Sequence, residues 1–355
     1  MDPEPAPPPV EPAASPQLAS PPLASPQPPL LRKVFMGKDG LRAGWSLLIF
    51  ILMLAAIVMS IRFLGRRLHL LSGAQPKPGQ EIGPIFGIAG ELIPFLVIFL
   101  VTWIMSKIER RPNSVYGFGD DRKFPHFFAG LAWGVTFLSL LVFTLRVPGL
   151  LVFDGRLLSG VDILRYGAMW LVAFLVVGFF EEYLTRGYVQ YTLTRGLAGI
   201  YRTVFKTRHS QALGFWTSAL IFSFLFGLGH SNNPGESPIG EFAAGLAGLV
   251  FCFSLWRTGS LWWAIGFHTS WDWAQSFLYG VADSGVMVQH HLFKTHPVGK
   301  PVLSGGATGP EGSIFVLIIL ALASAVIWLT LRQSGRETKP SIDQCQPQQL
   351  SDRLP

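Results

Sequence analysis

Long runs of apolar residues, separated by shorter polar segments, dominate this sequence. Each run holds roughly 20 residues, and a helix of that length, rising about 1.5 Å per residue, crosses the ~30 Å hydrocarbon core of a bilayer. The pattern therefore predicts an all-α protein, a polytopic transmembrane helical bundle of about eight transmembrane helices. The predicted spans are residues 43–64, 82–107, 126–147, 162–182, 212–230, 239–256, 260–281 and 313–332.

Composition and charge support a membrane protein and suggest its orientation. Half of the 355 residues are hydrophobic, 14% are charged and the mean hydropathy is +0.40, which lies outside the range of ordinary soluble domains. The formal net charge is +7, but the basic residues lie mainly between the apolar runs, which argues against nucleic-acid binding. The segments that would lie on the same side of the membrane as the N-terminus carry more of these basic residues than the segments on the opposite side. The positive-inside rule therefore predicts that both termini lie in the cytoplasm. The expected location is the cell (inner) membrane.

Changes in composition divide the chain into segments. The first 30 residues hold twelve prolines and no basic residue, so they are expected to stay disordered. The predicted organisation is a Pro-rich tail (1–30), N-terminal transmembrane helices (31–159), a core with the polar motifs described next (160–282), an extramembrane loop rich in His, Pro and Gly (283–312), a last transmembrane helix (313–333) and a polar tail (334–355).

Two adjacent carboxylates, Glu181 and Glu182, follow the apolar run that ends at Phe180, in a chain whose other charges are expected to keep to its loops. An ionisable group in hydrocarbon costs roughly 2.5–3.5 kcal/mol on insertion scales, so it is usually retained for a function. Glu182 and Arg186 are four residues apart and share one helix face, which predicts an ion pair and leaves Glu181 to face a cavity. Alone, the motif equally fits a membrane boundary.

Two further motifs place imidazoles in later apolar runs. Phe226-Gly-Leu-Gly-His230 ends the fifth run, where two glycines allow close approach of a neighbouring helix; a capping histidine is the simpler interpretation of this motif alone. His268 and Asp272 lie one turn apart within the seventh run, where a polar pair that only stabilises the bundle is the alternative.

Together these motifs hold the groups that peptide hydrolysis needs. One carboxylate and one imidazole can activate water, while the second imidazole and its neighbour stabilise a developing oxyanion. Two histidines and one glutamate could equally hold a catalytic zinc ion. Spacing alone leaves both chemistries open.

The three motifs, in this order, resemble those of the CPBP (ABI) membrane proteases, which comprise the type II CAAX prenyl endopeptidases and their bacterial relatives. The family pattern EExxxR, FxxxH and HxxxN/D is matched from Glu181 to Arg186, from Phe226 to His230 and from His268 to Asp272. The resemblance covers roughly residues 160–282, so this core is interpreted as CAAX-protease-like. It implies an intramembrane endopeptidase that acts on a peptide or lipidated-protein substrate at the lipid bilayer, with no nucleic acid.

The resemblance also implies a role for each motif residue. Glu181 and His230 would activate the attacking water, and His268 with Asp272 would form the oxyanion site. Support would come from Glu182 and Arg186. The family covers both a metal-free glutamate mechanism and an inferred zinc enzyme whose ligands would be Glu181, His230 and His268, so a divalent metal such as zinc stays open. Asp272 stands where eukaryotic relatives carry Asn, and an ionised Asp would repel an oxyanion.

Other function classes could use the same buried polar residues. A proton-coupled transporter or a non-enzymatic membrane adaptor or immunity protein could also hold intramembrane Glu, His and Asp. Transporters often show internal repeats, and none is evident here. Gly117-Phe-Gly-Asp120 is a literal GxGD motif, but it lies in a charged loop without a Tyr-Asp partner, so an aspartyl protease is rejected.

A shared site sets a geometric requirement. If the fourth span ended at Phe180, Glu181 and His230 would lie near opposite membrane faces, ~25 Å apart. The helix is therefore predicted to continue through Tyr191. A distance of more than about 10 Å from Glu181 to both His230 and His268 would contradict a shared site.

Overall fold

The computed structural model describes residues 34–37, 39–68 and 81–332. The predictions for the Pro-rich tail (1–30) and the polar tail (334–355) lie outside these ranges. Within them the chain is mainly helical, as predicted. The helices are α1 (Ala43–Arg67), α2 (Pro84–Glu109), α3 (Lys123–Arg146), α4 (Val161–Arg186), α5 (Tyr188–Thr203), α6 (Ser210–Gly229), α7 (Pro238–Thr258), α8 (Trp262–Asp272), α9 (Pro301–Ser304) and α10 (Val316–Thr330).

Short strands complete the described part of the fold. Strands β1 (Met36–Gly37) and β2 (Gly40–Leu41) form a small hairpin. Strands β3 (Leu151–Arg156) and β4 (Phe293–Pro297) pair antiparallel, with one irregularity in register after Phe153. Because β4 lies inside the predicted extramembrane loop 283–312, that segment is ordered against the connection that follows α3.

Six helical segments in the described ranges are long and apolar enough to cross a membrane, and two predicted spans are shorter than expected. The six are Ala43–Arg67, Pro84–Glu109, Lys123–Arg146, Val161–Thr203, Ser210–Asn232 and Pro238–Thr258. The predicted seventh span, 260–281, is α8 extended by a π-helical segment, Trp273–Leu278. Most of α8 is buried within the protein, so it forms an inner element of the bundle. The predicted eighth span is α10, a shorter apolar helix.

The helix that carries Glu181 does not continue unbroken through Tyr191 as predicted, because it ends at Arg186 and a second helix follows. α4 ends at Arg186, a single residue, Gly187, interrupts the helix, and α5 begins at Tyr188. A Cβ on Gly187 would collide with the carbonyl oxygen of Tyr183, so glycine suits this junction. Glu181 thus lies near the middle of the 43-residue segment Val161–Thr203 rather than at its end.

Glycines bring α8 into backbone contact with both α3 and α4. A Cβ on Gly130 of α3 would collide with the carbonyl oxygen of Trp263, and one on Gly178 of α4 would lie 2.8 Å from the hydroxyl of Thr269. Small residues allow this close approach of helices, which strengthens van der Waals packing within a bilayer. The consequence is that α8 is held between two neighbours at the level of His268.

Candidate active site

A cavity of about 320 Å³ lies between the helices, and it collects the residues of all three motifs. Much of its wall is apolar, including Trp170, Phe174, Phe251 and Trp271. Among the described residues that line it there is no lysine or arginine. Its polar lining consists of Glu91, Glu181, His230, Asn233, His268, Asp272, Ser276, Asp283, Ser284 and Glu311.

His268 lies at the centre of the motif residues. Its Nδ1 is 3.0 Å from Oε1 of Glu182, and its Nε2 is 3.7 Å from Oε2 of Glu181. Nε2 also lies 3.5 Å from Oδ2 of Asp272. Because an ionised carboxylate only accepts, Nδ1 carries the hydrogen of the bond to Glu182, and Nε2 is the nitrogen directed to the other two carboxyls. The short distance to Glu181 meets the geometric requirement for a shared site.

Glu182 and Arg186 form the predicted ion pair. Nη1 of Arg186 is 2.8 Å from Oε1 of Glu182, and the two residues are 3% and 0% exposed. The guanidinium also donates to the carbonyl of Gly248 and lies 5.0 Å and 5.2 Å from the ring centres of Phe226 and Phe251. The arginine is therefore enclosed by α6 and α7, and it holds Glu182 on the packed side of α4.

His230 lies in the helical turn that follows α6. Its Nδ1 is 2.7 Å from the carbonyl oxygen of Phe226. A carbonyl only accepts, so Nδ1 donates and Nε2 of the neutral ring keeps a lone pair. The same bond is what a capping histidine would make, but His230 also lines the cavity that holds Glu181. This arrangement leaves Nε2 able to accept a hydrogen from water.

Asp272 is buried on the same face of α8 as His268. It is 5% exposed, and among the described residues it makes no hydrogen bond. Nε2 of His268 lies 3.5 Å from its Oδ2, and the charges of Asp283 and Glu181 also act on it. The carboxyl is thus close to the imidazole that would serve the oxyanion site. Its role there stays a prediction.

Three cavity carboxyls were missed by reasoning from the sequence. Glu91 lies inside α2, so the expectation that the other charges keep to loops is wrong at this residue. The signal was available, since Glu91 is the one acidic residue within the predicted span 82–107. Asp283 and Glu311 gave no signal, because they lie at opposite ends of the predicted loop 283–312 and match no motif.

Asp283 and Glu311 bring that loop into the cavity wall. Both the backbone N–H and the hydroxyl of Ser284 donate to Oε1 of Glu311, and the hydroxyl of Ser276 donates to Oδ2 of Asp283 at 3.3 Å. Burial, and next the charge of Glu311, raise the pKa of Asp283 well above its ordinary value. Burial also raises the pKa of Glu311. Protonated carboxyls are therefore favoured at this end of the cavity.

The proposed zinc ligands do not form a ready metal site. In the described ranges no three His, Cys, Asp or Glu side chains converge in a geometry that could hold a metal ion. Zinc needs its nitrogen and oxygen ligands at about 2.0–2.2 Å, so Glu181, His230 and His268 would have to rearrange to bind it. Metal dependence remains a prediction.

Comparison with protein families finds one match in the region that forms this site. Residues 164–274 match the family described as type II CAAX prenyl endopeptidase Rce1-like. The matched segment contains every motif residue from Glu181 to Asp272. Comparisons with curated proteins and with solved structures give no significant match.

Proposed function

We propose that this integral membrane protein, whose residues 164–274 match the Rce1-like family of type II CAAX prenyl endopeptidases, is an endopeptidase that hydrolyses peptide bonds inside its helical bundle. The observation that supports this function is the placement of Glu181, His230 and His268 around one cavity. A carboxylate, an imidazole with a free lone pair and a second imidazole are the groups that the reaction needs.

In the proposed reaction Glu181 is the general base and His230 helps to orient the water. The water oxygen attacks the carbonyl carbon of the scissile peptide bond, and the carboxylate of Glu181 takes the proton. The C–N bond then breaks, and the same proton passes to the leaving nitrogen. The second hydrogen of the water stays on the new carboxyl group, so the products are a carboxylic acid and an amine; one water is consumed and no other reactant is needed.

His268 is proposed to stabilise the oxyanion through Nε2. Because Nδ1 already donates to Glu182, Nε2 can donate as well only when the ring is an imidazolium. The carboxyls of Glu181 and Asp272, at 3.7 Å and 3.5 Å from Nε2, lie where they balance that charge. In this proposal Asp272 acts on His268 rather than directly on the oxyanion, and the imidazolium between them offsets part of the repulsion expected from an Asp at this position.

The substrate is proposed to be a membrane-associated peptide or a lipidated protein. A bundle with an apolar, aromatic cavity suits a segment that is delivered from the bilayer. The proposed setting is the cell membrane with both termini in the cytoplasm.

The test is cleavage of a library of lipidated and unlipidated peptides by the purified protein in bilayer discs. Glu181→Gln and His268→Gln are each expected to lower kcat/KM by about 10²–10⁴-fold, the usual contribution of a general acid or base. Glu81→Gln is the matched control, because Glu81 is exposed and does not line the cavity. Cleavage by Glu181→Gln at the wild-type rate would reject the mechanism.

Two further experiments distinguish a zinc-dependent peptidase and a transporter from the proposed metal-free peptidase. Loss of cleavage on adding a chelator, with recovery on adding zinc, would support the zinc enzyme. Proton-coupled flux into vesicles that depends on Glu181, in the absence of any cleavage, would instead favour a transporter.

A further inference from the structure

Glu91 is a carboxyl within an apolar helix, about two turns from the start of that helix, and the proposed mechanism does not use it. It lies in α2, seven residues after Pro84, and it lines the same cavity as Glu181. A carboxylate inside a membrane span is costly, by up to roughly 2.5–3.5 kcal/mol at the centre of the span on insertion scales, so a functional reason is expected.

No structural partner explains Glu91. In the part of the chain that the structure describes, it has no hydrogen bond or ion pair. The other acid of α2, Glu109, accepts a hydrogen bond from Tyr188 at 2.9 Å and lies 3.6 Å from both Arg111 and Arg195. Glu109 therefore has the partners of a structural carboxylate, whereas Glu91 has none.

Each of the other carboxyls described in the cavity has a polar neighbour within the protein. Glu181 and Asp272 face His268, while Asp283 and Glu311 accept hydrogen bonds from serines. Among the described carboxyls of the cavity, Glu91 is thus the one left to bind something that enters.

The level of Glu91 along the cavity follows from the packing of α2 on α4. A Cβ on Gly87 would lie 3.2 Å from the Trp170 ring, and the ring centre of Phe95 is 5.9 Å from that of Phe179. The two helices therefore run in the same direction, with Glu91 midway between these contacts. Glu181 lies about six or seven residues further along α4, or ~9–10 Å at about 1.5 Å per residue.

That separation corresponds to two or three residues of a bound peptide, since an extended chain advances about 3.3 Å per residue. The parts of α2 and α4 that line the cavity include Gly87, Trp170, Phe174 and Val177, and no lysine or arginine lines the cavity in the described ranges. A Lys or Arg side chain suits this lining, because its stem packs on apolar surface, its charge lies near aromatic rings and its head pairs with a carboxylate.

We propose that Glu91 is a specificity-determining residue that binds a Lys or Arg side chain of the substrate two or three residues from the scissile bond. This inference rests on the proposed peptidase function and names a property of its substrate.

The test compares peptides that differ at one position. Lys, Gln or Glu is placed in turn two and three residues from the cleaved bond, on either side, and kcat/KM is measured for wild type, Glu91→Gln, Glu91→Lys and the control Glu81→Gln. Wild type and the control are expected to prefer Lys over Gln by about tenfold or more at one position, as for a charged hydrogen-bonded pair. Glu91→Gln should bring this ratio to about one, and Glu91→Lys should favour the Glu peptide.

Two outcomes would contradict the proposed role of Glu91. No preference in wild type, or an equal loss for Lys and Gln peptides in Glu91→Gln with the ratio kept, would overturn the inference. Peptide binding is measured in parallel by fluorescence anisotropy, so that absence of cleavage rejects the proposed function by itself. A Lys-over-Gln ratio in Kd that disappears in Glu91→Gln would then still support the binding role, and equal Kd values in wild type would refute it.

Discussion

Replacing Arg186 by methionine would leave Glu182 buried without its guanidinium partner. The two side chains are 1% and 0% exposed, and Nη1 and Oε1 are 2.8 Å apart. At an effective dielectric constant of about 20 the gross attraction is about 6 kcal/mol, but desolvation offsets much of it. Removing one partner of a buried pair costs about 3–5 kcal/mol, because the other charge stays buried. We expect the lower end of this range, since His268 still donates to Glu182.

The measurement is the free energy of unfolding of the purified protein in mixed detergent micelles, for wild type, Arg186→Met, Glu182→Gln and the double variant. The double variant removes both charges, so it should recover at least half of the stability lost in Arg186→Met. It should not recover peptide cleavage, because His268 then lacks a carboxylate acceptor at Nδ1. A loss below about 1 kcal/mol in Arg186→Met, or a double variant whose loss equals the sum of the single losses, would refute the reasoning.

The remaining predictions concern helix packing and pH. Gly130→Ala should lower the free energy of unfolding by about 1–3 kcal/mol, because the added Cβ overpacks α3 against α8. Gly90→Ala in α2 is the control: a Cβ there meets nothing within 4 Å, so this variant should be neutral or slightly stabilising. Equal effects of the two variants in the same unfolding assay would contradict the packing argument. Asp283 and Glu311 have raised pKa values in the folded protein, so they stabilise it fully below about pH 4 and lose this contribution as the pH rises through the folded-state pKa values. Asp283→Asn should therefore flatten the dependence of the melting temperature on pH above pH ~4, and an unchanged slope would argue against the buried carboxyl pair.

Regular hydrophobic patterns and local residue spacing were enough to predict most of the helices and part of the candidate site. Apolar run length indicated the helices, and the i,i+4 spacing of Glu182 and Arg186 predicted an ion pair that the structure contains. The contribution of the 283–312 loop to the cavity could not be predicted, since Asp283 and Glu311 meet only through tertiary folding. The seventh predicted span was too long for a related reason: α8 is buried by contacts from glycines on α3 and α4, and apolar run length does not distinguish burial in protein from exposure to lipid.

The two adjacent glutamates of α4 have different roles, one in the packing of the helix and one proposed in catalysis. Successive residues on a helix point about 100° apart, so Glu182 turns into the packed interface while Glu181 turns into the cavity. Glu182 is fully buried between Arg186 and His268, whereas the side chain of Glu181 is 25% exposed and its contact with Nε2 of His268 is 3.7 Å long. Glu182 is held by the guanidinium of Arg186 and faces away from the cavity, so it has no access to a substrate. Glu181 is partly exposed and lines the cavity, and this placement makes it the better candidate for the base.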